Sequence, residues 1–142
     1  MCENKRISKN EWFLKLAETI AERSTCCRKK VWCIIVKDWL IVSTWFNWVA
    51  RWETECPENW CSIESSEGCH TIHAEINAII NAARLWVSIH WAEIFVTLKP
   101  CSDCSRALIN AWISKLYYKK SSDKYETWHN IKIEDYIETF KM

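Results

Sequence analysis

The sequence predicts an α/β domain, one sheet covered by helices. Three observations predict it. Helical and strand patterns alternate in the order α-β-β-α-β-α-β-(β)-α, an order that buries a sheet under helices. Val31 to Val36 is a β-branched run of the kind found in buried strands. Ala74 to Leu85 is rich in Ala, Ile and Asn, with Ile76, Ile79, Ile80 and Ala83 recurring on one side of a helix. The chain has 142 residues, so residues 1–142 read as a single domain with a core of reasonable size.

The first element is an amphipathic helix over Glu11 to Arg23, where Trp12, Leu16 and Ile20 recur at three-to-four spacing with Phe13 and Ala17 nearby. Val31 to Val36 and Leu40 to Phe46 are strands, and Lys37-Asp38-Trp39 between them makes the pair a hairpin. Asn47 to Gly68 shows little periodicity; a loop that long in a compact domain is expected to be functional or tied down. After the helix at Ala74 come a strand at Ala92 to Leu98 and a helix at Cys101 to Ala111. Pro100 stands just before that helix, where proline is tolerated. Leu116 to Tyr118 is a short strand, Ile131 to Ile133 a further candidate strand, and Glu134 to Lys141 a candidate terminal helix.

Composition narrows the function. Net charge is +1 with both signs scattered, which argues against a protein that coats nucleic acid and leaves room for a small anionic substrate. Met1 to Trp12 is too polar for a secretory signal, and no apolar run reaches membrane-spanning length. A soluble, cytoplasmic protein without a membrane or stable nucleic-acid partner is the expectation. Nine cysteines without an export signal favour metal binding over disulfides.

The chemistry concentrates in His73-Ala74-Glu75 and Pro100-Cys101-Ser102-Asp103-Cys104. Cys101 and Cys104 fall on one face of a helix start. His73 opens the other helix, so two positive helix ends can converge and favour thiolates between them. One imidazole and two thiolates give zinc three protein ligands and leave the fourth position for water, the pattern of a catalytic site. Zinc lowers the pKa of such a water to about 7. Glu75 is placed to shuttle protons without binding the metal. Taken singly, each part has a plainer reading: Cys-x-x-Cys also serves structural zinc and redox chemistry, and a histidine at a helix start is often only a cap.

His-x-Glu followed by Pro-Cys-x-x-Cys is the known signature of zinc-dependent base deaminases. With Arg23-Ser24-Thr25-Cys26, Val31-Trp32-Cys33-Ile34-Ile35-Val36, Phe46-Asn47-Trp48, His73 through Ile79 and Val96 through Cys101, the chain resembles the cytidine and deoxycytidylate deaminase superfamily, from about Trp12 to Tyr118. It looks closest to the deoxycytidylate (dCMP) branch. Free-cytidine deaminases usually carry cysteine where His73 stands, and tRNA adenosine deaminases lack the cysteine-bearing insert between Cys56 and Cys69.

The resemblance implies a three-layer α/β/α sandwich with a mixed sheet of about five strands. It also implies hydrolysis of dCMP to dUMP and ammonia, feeding thymidylate synthesis, in homo-oligomers (often hexamers) controlled by dCTP and dTTP. It places Asn47 on the substrate sugar, Ala74 in the substrate site, Tyr118 near the substrate, and Ser24 and Arg28 toward the phosphate. The plainer readings are a core strand residue for Tyr118 and a solvated charge for Arg28. Cys26, Cys56, Cys61 and Cys69 resemble the ligands of members with a second, structural zinc, for which His70 is an alternative ligand. Cys27 and Cys33 read as small buried apolar residues, and Cys2 lies near the chain end. A related enzyme acting on tRNA adenosine or another amino-heterocycle, and a non-catalytic zinc-stabilised module, are the competing readings; a structural site has no need of Glu75.

One feature departs from the family and from ordinary composition. The chain has eleven tryptophans and one glycine, Gly68, where about ten glycines are usual at ~7%. Trp32, Trp39, Trp45, Trp48, Trp52, Trp60, Trp86, Trp91 and Trp112 stand where the family has glycine. Local physics agrees at several. Asp38-Trp39 occupies a hairpin turn that suits Asp-Gly; Trp86 and Trp112 follow helices that suit a terminal glycine; Trp91 sits in the turn before a strand. Trp12 fits a helix face, and Trp128 is open. The expectation is that UGA codons, read as glycine in some genetic codes and tryptophan in others, underlie the nine. With tryptophan in place, Trp32, Trp45 and Trp48 are expected to crowd the pocket beside Asn47.

Overall fold

In a computed structural model of the chain, residues 6–26, 28–55, 69–119 and 128–132 are described. Helix α1 (Lys9–Ala21) precedes the hairpin β1 (Trp32–Lys37) and β2 (Leu40–Phe46). A small second hairpin, β3 (Trp48–Val49) with β4 (Thr71–Ile72), leads into α2 (Ala74–Arg84). Then follow β5 (Glu93–Val96), α3 (Ser102–Asn110), β6 (Lys115–Lys119) and β7 (Trp128–Lys132). The main sheet has five strands in the order β2-β1-β5-β6-β7. Among the described strand pairs only β5 and β6 run parallel, and α3 supplies the crossover that parallel neighbours need.

Side-chain alternation builds the three layers. On β1, Cys33 and Ile35 point toward α2 and α3, whereas Trp32, Ile34 and Val36 point toward α1. β5 repeats the pattern with Ile94 and Val96 against Phe95, and β6 with Leu116 and Tyr118 against Tyr117. Both faces are therefore apolar, which is why β1 reads as a continuous hydrophobic run. Helix α2 lays Ala74, Ala78 and Ala82 against the sheet; these short side chains let it lie close and carry Glu75 inward with them.

The boundaries differ from the sequence reading in instructive ways. Helix α1 starts at Lys9 because the Ser8 hydroxyl accepts from the Glu11 amide at 3.2 Å, a Ser-x-x-Glu start signal. The segment after Asn47 is not wholly irregular, since Trp48 and Val49 pair with Ile72 and Thr71. Trp12 stands at the margin of its helix face, 45% exposed, while Phe13, Leu14 and Ala17 fill the core. The candidate terminal helix, Cys2, Cys27 and Gly68 lie outside the described residues. No helix of the described residues is long and apolar enough to cross a membrane.

The tryptophans divide into two groups. Trp39, Trp52, Trp86, Trp91 and Trp112 have φ of 67°, 77°, 57°, 62° and 58°. Trp32, Trp45 and Trp48 lie in extended strands. Of this second group, Trp32 is enclosed and its indole N–H has no partner among the described residues.

Candidate metal and catalytic centre

Two helix starts build the centre. His73 is the N-cap of α2 and Cys101 the N-cap of α3, where its sulfur accepts from the Cys104 amide at 3.4 Å. His73 Nδ1 lies 3.5 Å from Cys101 Sγ and 3.3 Å from Cys104 Sγ. Tetrahedral zinc at ordinary Zn–N and Zn–S lengths puts nitrogen and sulfur donors about 3.5 Å apart, so both spacings from His73 suit the ion. These are the residues, among those described, whose ligand atoms gather for a metal, all within 4.8 Å of one another. His73 and Cys101 are exposed and Cys104 is buried, which leaves one side of the trio open.

Glu75 borders that open side. It is 3% exposed and lines the cavity together with His73 and Cys101. Burial pushes its carboxyl above the usual range; a backbone hydrogen bond, the charge of His73 and a hydrogen bond with Cys104 pull the other way. Burial, then the charge of Glu75, holds the Cys104 thiol well above its ordinary value in the metal-free chain. Cys33 is fully buried near Glu75 and Cys104 and is pushed up in the same manner, by burial first.

The cavity measures about 380 Å³, within the range of small-ligand sites. Asn47, Ala74 and Arg28 line it, as do Lys29, Lys99, Thr71 and Leu98, which the sequence reading did not single out. Lys99 was signalled only by its place just before Pro100-Cys101, and Lys29 by the run Arg28-Lys29-Lys30. Ser24 is buried behind the wall and donates to Asn47 Oδ1. Tyr118 is a core residue, packed in the cluster that contains Ala74, Cys33 and Val96. Cys26 and Cys69 both line the cavity, while Cys56 and Cys61 lie outside the described residues.

The expected crowding beside Asn47 is corrected by this geometry. Trp45 and Trp48 line a separate groove of about 580 Å³ with Trp52, Arg51 and Arg84, and neither lines the cavity that holds Asn47 and His73. Trp32 packs under α1 and stacks on Phe46 with ring centroids 5.2 Å apart.

Comparison with known proteins agrees with this centre. Residues 7–120 match the cytidine and deoxycytidylate deaminase zinc-binding region. The chain is 35% identical over 113 residues to ComE operon protein 2 of Bacillus subtilis, covering 80% of this chain and 60% of that protein. The chain thus spans about three fifths of that relative's length. It is 32% identical to the deoxycytidylate deaminase of Mycobacterium phage D29, covering 80% of this chain and 95% of the phage protein. The crystal structure of the dCMP deaminase from cyanophage S-TIM5 superposes with a TM-score of 0.69 at 33% identity, covering 80% of this chain and 84% of that one. The same phage enzyme has also been solved in complex with dCMP and dUMP, and that form superposes with a TM-score of 0.67 at 35% identity over 76% of this chain and 78% of that one.

Proposed function

The chain belongs to the cytidine and deoxycytidylate deaminase family, and from that premise we propose that it hydrolyses dCMP to dUMP and ammonia. His73, Cys101 and Cys104 hold the zinc, Glu75 moves the protons, and the cavity between them takes the base. The observation that carries this reading is Glu75 itself: a carboxylate residue only 3% exposed beside three donors gathered for a metal. A purely structural zinc site gains nothing from that costly burial.

When bound, zinc supplies an activated water at neutral pH. Glu75 takes a proton from the attacking water and delivers it to the ring nitrogen. It then carries the water's second proton to the departing amino group. One proton stays on the uracil ring and the other leaves on ammonia, so the hydrolysis balances. The raised affinity of Glu75 for a proton suits a group that must accept and return one in each turnover.

The mouth of the cavity supports a monophosphate. Arg28, Lys29 and Lys99 bring three cations to a space whose described lining includes one carboxylate, Glu75. Asn47 lies where the sugar would pass, and Ala74 forms part of the floor. Tyr118 would act through packing, and Ser24 through Asn47.

The family resemblance further supports a cytoplasmic homo-oligomer, with a hexamer as the expected size, and control by dCTP and dTTP. It also supports a structural zinc on Cys26, Cys56, Cys61 and Cys69, which metal analysis would report as two zinc ions per chain. The decisive assay offers dCMP, CMP, dCTP and a tRNA substrate to the zinc-loaded protein and follows ammonia. Release from dCMP that vanishes in Glu75→Gln is the expected result. A well-folded, zinc-loaded protein that deaminates none of the three cytidine nucleotides overturns the proposal.

A further inference from the structure

Five tryptophans occupy backbone that tryptophan is built to avoid. With a Cβ and a bulky ring, a residue at φ between 57° and 77° crowds its own carbonyl, whereas glycine does not. Each of the five sits in a hydrogen-bonded motif that demands that conformation.

Two are helix ends. After α2, the Trp86 amide donates to Ala83 at 3.2 Å and the Val87 amide to Ala82 at 2.9 Å. After α3, the Trp112 amide donates to Ile109 at 3.0 Å and the Ile113 amide to Leu108 at 3.2 Å. Both are the paired bonds of the Schellman motif, and both put tryptophan at the left-handed position where glycine is usual. A third is the hairpin turn: Asp38 and Trp39 both have positive φ between the paired residues Lys37 and Leu40, which is the demand of a two-residue Asp-Gly turn. The last two are β-turns. Glu53 donates to Ala50 at 3.0 Å around Trp52, and Ala92 donates to Ile89 at 3.0 Å around Trp91. In each, tryptophan holds the third position with positive φ, where a type II turn calls for glycine.

Their surroundings offer only surface contacts against the strain: Lys9 over the Trp39 ring, and the cluster of Trp91, Trp112 and His90. The five are between 59% and 96% exposed, so their indoles contribute little burial. Asp38 is the one other residue with positive φ among those described, and aspartate tolerates it. Trp32 adds a different kind of misfit, an enclosed indole N–H left without an acceptor among the described residues.

We infer that the working protein carries glycine at these five positions, encoded by UGA codons that its cell of origin reads as glycine. Trp32 shares their misfit but not their backbone, and it follows only if its codon is UGA as well. Trp45 and Trp48 follow only if their codons match, because their extended backbone suits any residue, and Trp60 lies outside the described residues. Trp12, near the start of α1 with helical backbone, is a tryptophan in its own right.

Reading the codons tests this first: UGA at positions 39, 52, 86, 91 and 112 with UGG at 12 is expected, and UGG at the five overturns it. Peptide mass spectrometry of the protein made by its own cells should give glycine masses at the five sites; tryptophan masses overturn it. The quintuple variant W39G/W52G/W86G/W91G/W112G should melt above the tryptophan chain by on the order of 10 °C. An equal or lower melting temperature contradicts the strain on which the inference stands. None of these measurements depends on whether the protein deaminates dCMP, so either idea can fail alone.

Discussion

The Ser24 hydroxyl donates to Asn47 Oδ1 at 2.7 Å, and both residues are buried. That oxygen also accepts the Val31 amide at 2.9 Å, while Asn47 Nδ2 donates to the Lys29 carbonyl at 2.7 Å. One asparagine thus pins the segment that brings Cys26, Arg28 and Lys29 to the cavity, and keeps a single amide proton for a ligand. Ser24 is a positioning residue: it fixes which way the amide points. Ser24→Ala is expected to raise KM for dCMP about tenfold, the equivalent of ~1.4 kcal/mol, with kcat little changed. Asn47→Ala should lose stability as well, by about 1–3 kcal/mol, because Val31 and Lys29 are left with unpaired backbone groups. Steady-state kinetics with denaturant unfolding separates the two; a Ser24→Ala enzyme with unaltered KM removes the positioning role.

Glu75 sets function against stability. Its carboxyl is raised by burial in the fold, so between the unfolded and folded pKa values the native state binds more protons than the unfolded state. Stability of the metal-free protein should therefore fall as pH rises through that window and stay lower above it. Glu75→Gln removes the titrating group. The variant is expected to be inactive, to unfold with a flatter pH profile, and to be at least as stable as the parent at neutral pH. Melting curves across pH on the metal-free pair would show it; parallel profiles would count against the buried, proton-holding carboxyl.

Zinc binding should be steeply dependent on pH. Burial, and after it the charge of Glu75, keeps the Cys104 thiol protonated in the metal-free chain, so the ion must displace that proton when it binds. Affinity should weaken progressively as the solution is acidified, with measurable proton release on loading. Cys104→Ser and His73→Ala are each expected to remove one zinc per chain, the catalytic ion, whereas Cys26→Ser leaves that ion in place. Cobalt substitution gives a direct readout: in Cys101→Ser/Cys104→Ser the thiolate charge-transfer bands should fall to those of the four-cysteine site alone. Undiminished bands would move the catalytic metal elsewhere.

The legibility of this site in the sequence was uneven, for physical reasons. Ligands on helix starts are easy to read, because Cys101 and Cys104 sit one turn apart and His73 stands at a cap beside Glu75. The sheet was equally plain, since β1 and β5 are buried on both faces and carry unbroken apolar runs. Trp39, Trp86, Trp91 and Trp112 were read as misplaced from turn and helix-end chemistry alone, and their backbone agrees. Trp52 was not reached by that route, because a lone β-turn inside Asn47 to Gly68 has no flanking periodicity to mark it. The pair β3 and β4 escaped notice because two-residue strands have no period to detect. Lys29 and Lys99 were missed for a related reason: a surface lysine and one that lines a cavity look alike until the chain folds around them.

Those two lysines carry the last prediction. Lys29 comes from the segment held by Asn47 and Lys99 from the turn before α3, so two separate segments bring cations to the cavity. Such an arrangement favours an anionic substrate group over a neutral one, with a screened, salt-dependent attraction. Lys99→Ala and Lys29→Ala are each expected to raise KM for dCMP severalfold while leaving weak turnover of deoxycytidine unchanged, and the double variant should lose most of the preference for the monophosphate. Raising ionic strength should weaken dCMP binding in the parent and have less effect in the double variant. If both nucleotides suffer equally, the lysines shape the cavity rather than read the phosphate, and the monophosphate must be held by other groups.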